Sequence, residues 1–225
     1  MNFHMSNSIS FHPDSSLLVE FSAGSLEVAP SICVSAHLHF CRKCRVEMLR
    51  LDQVGSEIMD TMEPAAIDDS LLDSVMAKID SPALAPSEKT VSKNIEGFPA
   101  SISILMKDVE SALTWRSISS SLEISQFETG QSDFEVALHK IEAGGKVPKH
   151  DHEGSEYTVV LKGSFSDENA VYCEGDFLFR QPGDVHQPMG AQNGECICLS
   201  ALSAPIKISH PLGFLMKPWL RINPM

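Results

Sequence analysis

The chain has 225 residues, of which 43% are apolar, and a net charge of −13 at pH 7, so it is long enough for one large or two modest domains. Acidic side chains outnumber basic ones by 13 to 6 in residues 1–90 and by 17 to 11 in residues 91–225, which opposes direct nucleic-acid binding and favours a basic protein partner. The sequence has neither a secretion signal nor a run of 18 apolar residues, so we expect a cytoplasmic protein whose six cysteines serve metal or redox chemistry.

Residues 12–80 have the apolar spacing of helices. Pro13 stands near the start of a first helix, and a second helical stretch follows Pro30 and continues at helical intervals. A further amphipathic helix is predicted from Ile67 to Asp80. Its apolar side consists of Ile67, Leu71, Leu72, Val75, Met76 and Ile79. Residues 1–80 are therefore predicted to form a small all-helical domain.

The character of the sequence changes after this helical region. Residues 81–99 are rich in Pro, Ser, Lys and Glu without periodicity, and we interpret them as a linker. From residue 100 to residue 225, short apolar segments are broken by Gly and Pro at close intervals, which predicts antiparallel strands. The predicted fold class is α+β multidomain, with a small helical bundle followed by an all-β domain.

A first group of potential metal ligands consists of His12, His37, Cys41 and Cys44. His37 and Cys41 share one face of a helix, but a continuous helix would place Cys44 roughly 10.5 Å from His37 along the axis. Because zinc ligands lie only ~4 Å apart, the helix is predicted to end or bend near Cys41. His12 would then complete a closed tetrahedral zinc site, which has no room for substrate and is therefore structural.

The alternative for this group is that the two histidines are ordinary surface or capping residues and the thiols are incidental. Two neighbours are not assigned to the site. His39 faces away from His37 on a helix, whereas Cys33 shares the face of His37 and is either a spare thiol near the metal or simply buried.

A second group of potential ligands consists of His150, His152, Glu156 and His186. His150 and His152 are two residues apart, so both side chains project from one face of a strand, and Glu156 has the same parity. Three imidazoles and a carboxylate suit a divalent transition metal with one or two positions left open. Such a site could catalyse a reaction, bind a ligand or sense oxidants.

Cys196 and Cys198 also lie two residues apart in a predicted strand and therefore share a face. If that face is the interior of the β domain, the two thiols could lie near the metal and be oxidised. The alternative, two small buried residues of a core strand, remains open.

Both groups of ligands lie in recognisable sequence patterns. The strings His12-Pro13-Asp14 and Ala36-His37-Leu38-x2-Cys41-x2-Cys44-Arg45 resemble the zinc-binding anti-sigma domain, which implies that the helix from Ile67 to Ile79 lies against a sigma factor. The β domain resembles the cupin superfamily, a jelly-roll barrel or double-stranded β-helix, although its second motif has Pro and Gly adjacent where the usual pattern separates them. The matching positions are Gly145, His150, His152, Glu156 and Gly163 in the first motif and Gly175, Pro182, Gly183 and His186 in the second.

An anti-sigma domain joined to a cupin is similar to the ChrR family of anti-sigma factors. The resemblance implies a non-enzymatic transcription regulator that binds an extracytoplasmic-function sigma factor, expected 1:1, and releases it under oxidative stress such as singlet oxygen. It also implies Zn²⁺ in the helical domain. For the cupin we expect a second divalent metal, with Zn²⁺ as the first candidate and Mn²⁺, Fe²⁺ and Ni²⁺ as alternatives. The rival hypotheses are a metal-dependent dioxygenase or isomerase with an accessory zinc module, and a cupin that binds a small-molecule signal.

Overall fold

The computed structural model of the chain describes residues 9–68, 70–80, 99, 102, 114–127 and 129–208. The predicted linker at 81–99 lies outside these ranges except for Pro99. Four helices and twelve strands lie within the described ranges. The helices are α1 (Ser15–Ser22), α2 (Val28–Phe40), α3 (Arg42–Asp60) and α4 (Ser70–Asp80). The strands are β1 (Arg116–Ser119), β2 (Leu122–Phe127), β3 (Glu135–Ile141), β4 (His150–His152), β5 (Glu156–Lys162), β6 (Ser164–Ser166), β7 (Val171–Cys173), β8 (Phe177–Arg180), β9 (Val185–His186), β10 (Met189–Gly190), β11 (Cys196–Leu202) and β12 (Ile206–Ile208).

The break between α2 and α3 confirms the prediction made from the ligand spacing. Cys41 has an extended backbone, with φ of −93° and ψ of 104°, so the helical path is interrupted at this residue. The Cys41 Sγ then caps α3 by accepting a hydrogen bond from the backbone N–H of Cys44 at 3.4 Å. Two helices begin at residues other than those predicted. Helix α2 already begins at Val28, with Pro30 in its first turn where a missing N–H has no cost, and α4 begins at Ser70 rather than at Ile67.

The strands form three antiparallel sheets. The largest has the order β1-β2-β3-β11-β5-β8, and two smaller sheets have the orders β10-β6-β7 and β12-β4-β9. One cavity is lined by residues of the large sheet and of both small sheets, so the sheets enclose a common interior. This is the jelly-roll barrel of a cupin, and the predicted fold class of helical bundle followed by cupin is confirmed.

Helix α2 packs against the outer face of the large sheet, and α1 and α3 pack against α2. Helix α2 contacts β5, β11 and β8, and the Cys33 Sγ donates to the carbonyl oxygen of Tyr157 in β5 at 3.5 Å. Strand β11 is buried along its whole length, because one face lines the barrel and the other lies under the helices. A single apolar cluster therefore includes residues of both parts, among them Cys33, Leu138, Val159 and Leu199.

Helix α4 differs from the other three helices because none of its residues is buried. None of the described helices combines the length and the apolar character needed to cross a membrane.

Candidate metal centres and an exposed apolar surface

The first ligand group assembles around the break between α2 and α3. His12 precedes α1, His37 lies in the last turn of α2, and Cys44 lies in the first turn of α3. The distances are 3.2 Å from His37 Nε2 to Cys44 Sγ, 3.4 Å from Cys41 Sγ to His12 Nδ1, and 3.5 Å from Cys44 Sγ to His12 Nδ1. One ligand atom from each of the four residues lies within 4.8 Å of all the others. The structure thus brings together all four predicted residues.

The chemistry of these atoms fits a zinc ion. Tetrahedral bonds of about 2.0–2.3 Å place ligand atoms roughly 3.3–3.8 Å apart, close to the spacing found here. The His37 Nδ1–H donates to the carbonyl oxygen of Gly175 at 2.7 Å, so the lone pair of Nε2 is directed at the cluster. Burial lowers the pKa of His37 to about 4 and raises the pKa of Cys44 to about 12. A buried thiolate needs a cation beside it, and the neutral imidazole is ready to bind one.

The second ligand group lies inside the barrel. His150 and His152 are the two ends of β4, and His186 pairs with His150 in the ladder between β4 and β9. The Nε2 atom of His186 is 3.0 Å from that of His150 and 3.1 Å from that of His152. All three side chains are buried, at 5%, 3% and 5% exposure for His150, His152 and His186. Strand parity therefore placed the imidazoles correctly on one face.

Hydrogen bonds donated by the outer ring nitrogens indicate that this group also suits a cation. The Nδ1–H of His150 donates to the carbonyl oxygen of Pro148 at 2.9 Å, and the Nδ1–H of His186 donates to Asp167 Oδ2 at 3.3 Å. Both rings then direct Nε2 lone pairs at each other, an arrangement that a shared positive ion makes favourable. Burial lowers the pKa of His186 to about 4, so protonation does not supply that charge near neutral pH.

Glu156 lies beside the three imidazoles and makes a different set of contacts. Its Oε2 is 3.3 Å from His152 Nε2, while its Oε1 accepts a hydrogen bond from Thr158 Oγ1 at 3.0 Å. The mutually close set of ligand atoms comprises only the three histidines among the described residues. A role for Glu156 as fourth ligand therefore stays a prediction.

The three-histidine group opens onto a cavity of about 90 Å³ in the barrel, enough for a few water molecules or a small organic group. Its walls are largely apolar, with contributions from Leu122, Ile141, Val147, Phe165, Leu178 and Leu202. His139 and Arg180 also line it, and neither was predicted from the sequence. His139 could have been found, because it has the same inward parity in β3 as Ile141. Asp167, which fixes His186, comes from a distant turn that no local pattern reveals.

Cys196 and Cys198 share the inner face of β11, as predicted, with their Sγ atoms 3.7 Å apart. Both are buried, and Cys198 lines the cavity. Its hydrogen bond with Cys196 and its burial raise the pKa of Cys198 well above the usual range, so this thiol is protonated and weakly nucleophilic. Their role as redox thiols stays a prediction.

An apolar surface is exposed on the last two helices. The predicted stripe of Ile67 and α4 is 44–70% exposed, so the described residues do not pack it against their own domain. Helix α3 exposes further apolar side chains on its surface. The α4 stripe consists of Ile67, Leu71, Leu72, Val75, Met76 and Ile79, and the α3 group consists of Val46, Leu49, Val54, Ile58 and Met59, continued by Met62 just past the helix. Exposed apolar clusters of this kind mark surfaces for protein partners.

A cluster of two thiols and two imidazoles on a helical module, an imidazole cluster in a cupin and an exposed apolar helix together fit a regulator that can bind metal ions and hold another protein. Comparison with known proteins agrees. Residues 108–204 match the ChrR Cupin-like domain family. The chain is 32% identical over 216 residues to the anti-sigma-E factor ChrR of Cereibacter sphaeroides, covering 95% of this chain and 99% of that protein. It is also similar to the crystal structure of Rhodobacter sphaeroides SigE in complex with the anti-sigma ChrR, with a TM-score of 0.73, 30% identity, and 86% and 99% of the two chains covered.

The chain belongs to the ChrR family of anti-sigma factors. This confirms the resemblance found in the sequence. Membership of a regulatory family also decides against the rival hypothesis of a cupin dioxygenase or isomerase, although enzymes share the barrel.

Proposed function

We propose that this anti-sigma factor binds one sigma factor of the extracytoplasmic-function group in the cytoplasm and keeps it from RNA polymerase. Family membership supports the class of partner, because the solved relative is a ChrR bound to SigE. The net charge of −13 supports it as well, since a strongly acidic protein attracts a basic nucleic-acid-binding partner.

The observation that carries this proposal is the exposed apolar stripe of α4. An amphipathic helix binds a partner by laying its apolar side chains, spaced three and four residues apart, into a groove. Leu71, Leu72, Val75, Met76 and Ile79 have this spacing and remain 44–67% exposed. A side chain that is exposed in the free protein and buried in the complex contributes to binding without contributing to folding.

A charge introduced into this apolar surface separates binding from folding. Val75→Asp places a carboxylate in the proposed interface and should weaken the sigma complex about 100-fold, because a buried unpaired charge costs several kcal/mol. Ser74→Asp is the matched control, since Ser74 is an exposed residue of α4 outside the stripe. Titration calorimetry measures binding, and thermal melting of each free variant checks the fold. Equal affinity of Val75→Asp and parent would remove α4 from the interface.

We further propose that the cupin senses oxidative stress, including singlet oxygen, through a divalent metal held by His150, His152 and His186, with Glu156 as a fourth ligand. The open cavity next to the imidazoles supports this assignment, because a small reactive molecule has access to the site. Zn²⁺ is the first candidate, and Mn²⁺, Fe²⁺ and Ni²⁺ are the alternatives. Metal analysis of the complex purified with its sigma factor would identify the ion. Release of sigma by a bound metabolite in the absence of oxidant would instead make the cupin a receptor.

A further inference from the structure

The turn that joins β7 and β8, taken here as residues 172–177 with the adjoining ends of both strands, holds the chain segment that leads into His12. The Oδ1 atom of Asp176 accepts hydrogen bonds from the backbone N–H groups of Ser10 at 2.7 Å and Phe11 at 3.0 Å. The N–H of Phe177 donates to the carbonyl oxygen of Phe11 at 3.0 Å. Strand β8 is the edge of the large sheet, and its free edge therefore binds Phe11 and fixes the segment that enters the first cluster.

The same turn also supports His37. Its Nδ1–H donates to the Gly175 carbonyl oxygen at 2.7 Å. Gly175 has a φ of 89°, and a Cβ at this position would meet Ile9 Cδ1 at 2.7 Å and Phe40 Cβ at 2.8 Å. The Oδ2 atom of Asp176 accepts from the Cys173 N–H at 2.8 Å and closes the turn. Two of the four ligands of the first cluster therefore depend on the shape of a cupin turn.

The other end of this turn reaches the second cluster. The Arg180 Nη2 donates to the Tyr172 hydroxyl at 2.8 Å and to Asp167 Oδ2 at 2.7 Å. The same Asp167 oxygen accepts from His186 Nδ1 at 3.3 Å. The Tyr172 ring packs against that of Phe11, with centroids 4.9 Å apart, and Phe11 directly precedes His12. Contacts thus run without interruption from an imidazole of the second cluster to a ligand of the first.

We propose that the turn of residues 172–177 couples the two clusters, so that the state of the cupin cluster determines how tightly the first cluster holds its metal ion. When the cupin cluster is disturbed, the His186 ring is no longer held from its inner side, and the Asp167–Arg180–Tyr172 contacts loosen. Phe11 and Asp176 are then held less firmly. His12 and His37 consequently move away from the positions in which their ring nitrogens face the thiols of Cys41 and Cys44. The inference rests on the two proposed metal sites and needs no sigma factor.

Cobalt provides a probe that distinguishes the clusters. Of the two clusters, only the first contains cysteine, so absorption due to thiolate-to-Co²⁺ charge transfer reports on that cluster alone. The full chain is mixed with excess chelator, and the rate at which this band disappears gives the rate at which the first cluster loses its ion. If the band never forms, the proposed metal site itself fails. That outcome differs from a failure of the coupling, in which the band forms normally.

The first experiment tests the support from the turn. Asp176→Ala should increase the rate of cobalt loss about tenfold, because it removes the acceptor for three backbone N–H groups. Asp184→Ala is the matched control, since Asp184 also caps a cupin turn, by accepting from the Gln181 N–H at 2.8 Å. The control should release cobalt at the parental rate. Equal rates for Asp176→Ala and the parent would overturn the proposal.

A double-mutant cycle tests the coupling itself. His152→Ala disturbs the second cluster but lies outside the chain of contacts, and it should speed cobalt loss about three- to tenfold. Tyr172→Phe removes the hydroxyl that Arg180 contacts and keeps the ring on Phe11. In the Tyr172→Phe background, His152→Ala should have little further effect. The control background is Tyr157→Phe, the chain's other tyrosine, which stacks on Phe179 instead.

Two results would overturn the coupling. One is an unchanged rate in His152→Ala, which would leave the turn as a support without communication between the clusters. The other is a full effect of His152→Ala in the Tyr172→Phe background, which would mean that the path does not run through this hydroxyl.

Discussion

The two candidate metal clusters both contain imidazoles but lie in opposite surroundings. The first combines two histidines with two thiols at a helix break, and these four side chains would close the site around an ion. The second has three buried imidazoles and faces an apolar cavity of about 90 Å³. A closed thiolate site holds elements of structure together, whereas an open imidazole site lets a small molecule approach the ion. The comparison predicts that damage to the first cluster abolishes the fold needed for sigma binding, while damage to the second leaves that fold in place and changes the response.

The largest effect is expected at the first cluster. Cys44→Ser should lose zinc and most of the helical structure of residues 12–60, because structural zinc contributes on the order of 10 kcal/mol of apparent binding energy. Sigma binding should be abolished. Cys196→Ser is the control, since Cys196 is buried inside the barrel and belongs to neither cluster. Circular dichroism with and without zinc measures the helices, and an unchanged cooperative melt of Cys44→Ser without zinc would show that the metal is not structural.

A fragment that ends near Ser87 should show an intermediate effect. We expect it to bind zinc and the sigma factor, because all four ligands of the first cluster and the α4 stripe lie within it. It should nevertheless melt below the full chain, because Cys33 and His37 lose their cupin partners Tyr157 and Gly175. Differential scanning calorimetry compares the two proteins. A folded, zinc-loaded fragment that does not bind sigma would mean that the cupin forms part of the binding surface.

The smallest effect is expected from loss of the helix cap at Asp14, and it is a reference for the larger losses of stability. Asp14 caps α1, with its Oδ1 accepting from the Leu17 N–H at 2.8 Å. Asp14→Ala should lower the free energy of unfolding by about 1 kcal/mol through loss of the cap. Asp14→Asn, which can still accept this bond, should remain close to the parent. If Asp14→Ala destabilised the protein as much as Cys44→Ser does, any change near His12 would unfold the module. The result for Cys44→Ser would then no longer show that zinc is structural.

Much of this arrangement could be predicted because it depends on spacing along the chain. Ligand separation placed a helix break at Cys41, and strand parity put His150 and His152 on one face. The two cupin motifs predicted the β-barrel. The apolar stripe of α4 could also be predicted, because the regular geometry of a helix determines which side chains lie on the same side.

The contacts between the two parts of the molecule could not be predicted in the same way. The docking of α2 on the sheet, and the turn at Gly175 and Asp176 beneath the first cluster, join residues more than 120 positions apart. One signal was present in β11, where apolar residues occur at every position of Cys196–Leu199 instead of alternating. Such a run indicates a strand that is buried on both faces. Asp167 and Arg180 were missed because only the folded barrel brings them beside His186.

The most direct test of the central claim is a reporter gene under control of the sigma factor, measured with and without singlet oxygen. The protein carrying His150→Ala and His152→Ala should repress as well as the parent without oxidant and lose most of its induction with it. All four ligands of the first cluster and the α4 stripe are retained, and a loss of the ion about three- to tenfold faster leaves the first cluster loaded where no chelator removes it. His39→Ala, an exposed histidine outside both clusters, should behave like the parent. If the double variant responds as strongly as the parent, the cupin metal is not the sensor. If it fails to repress, the two clusters do not divide structure and signalling between them.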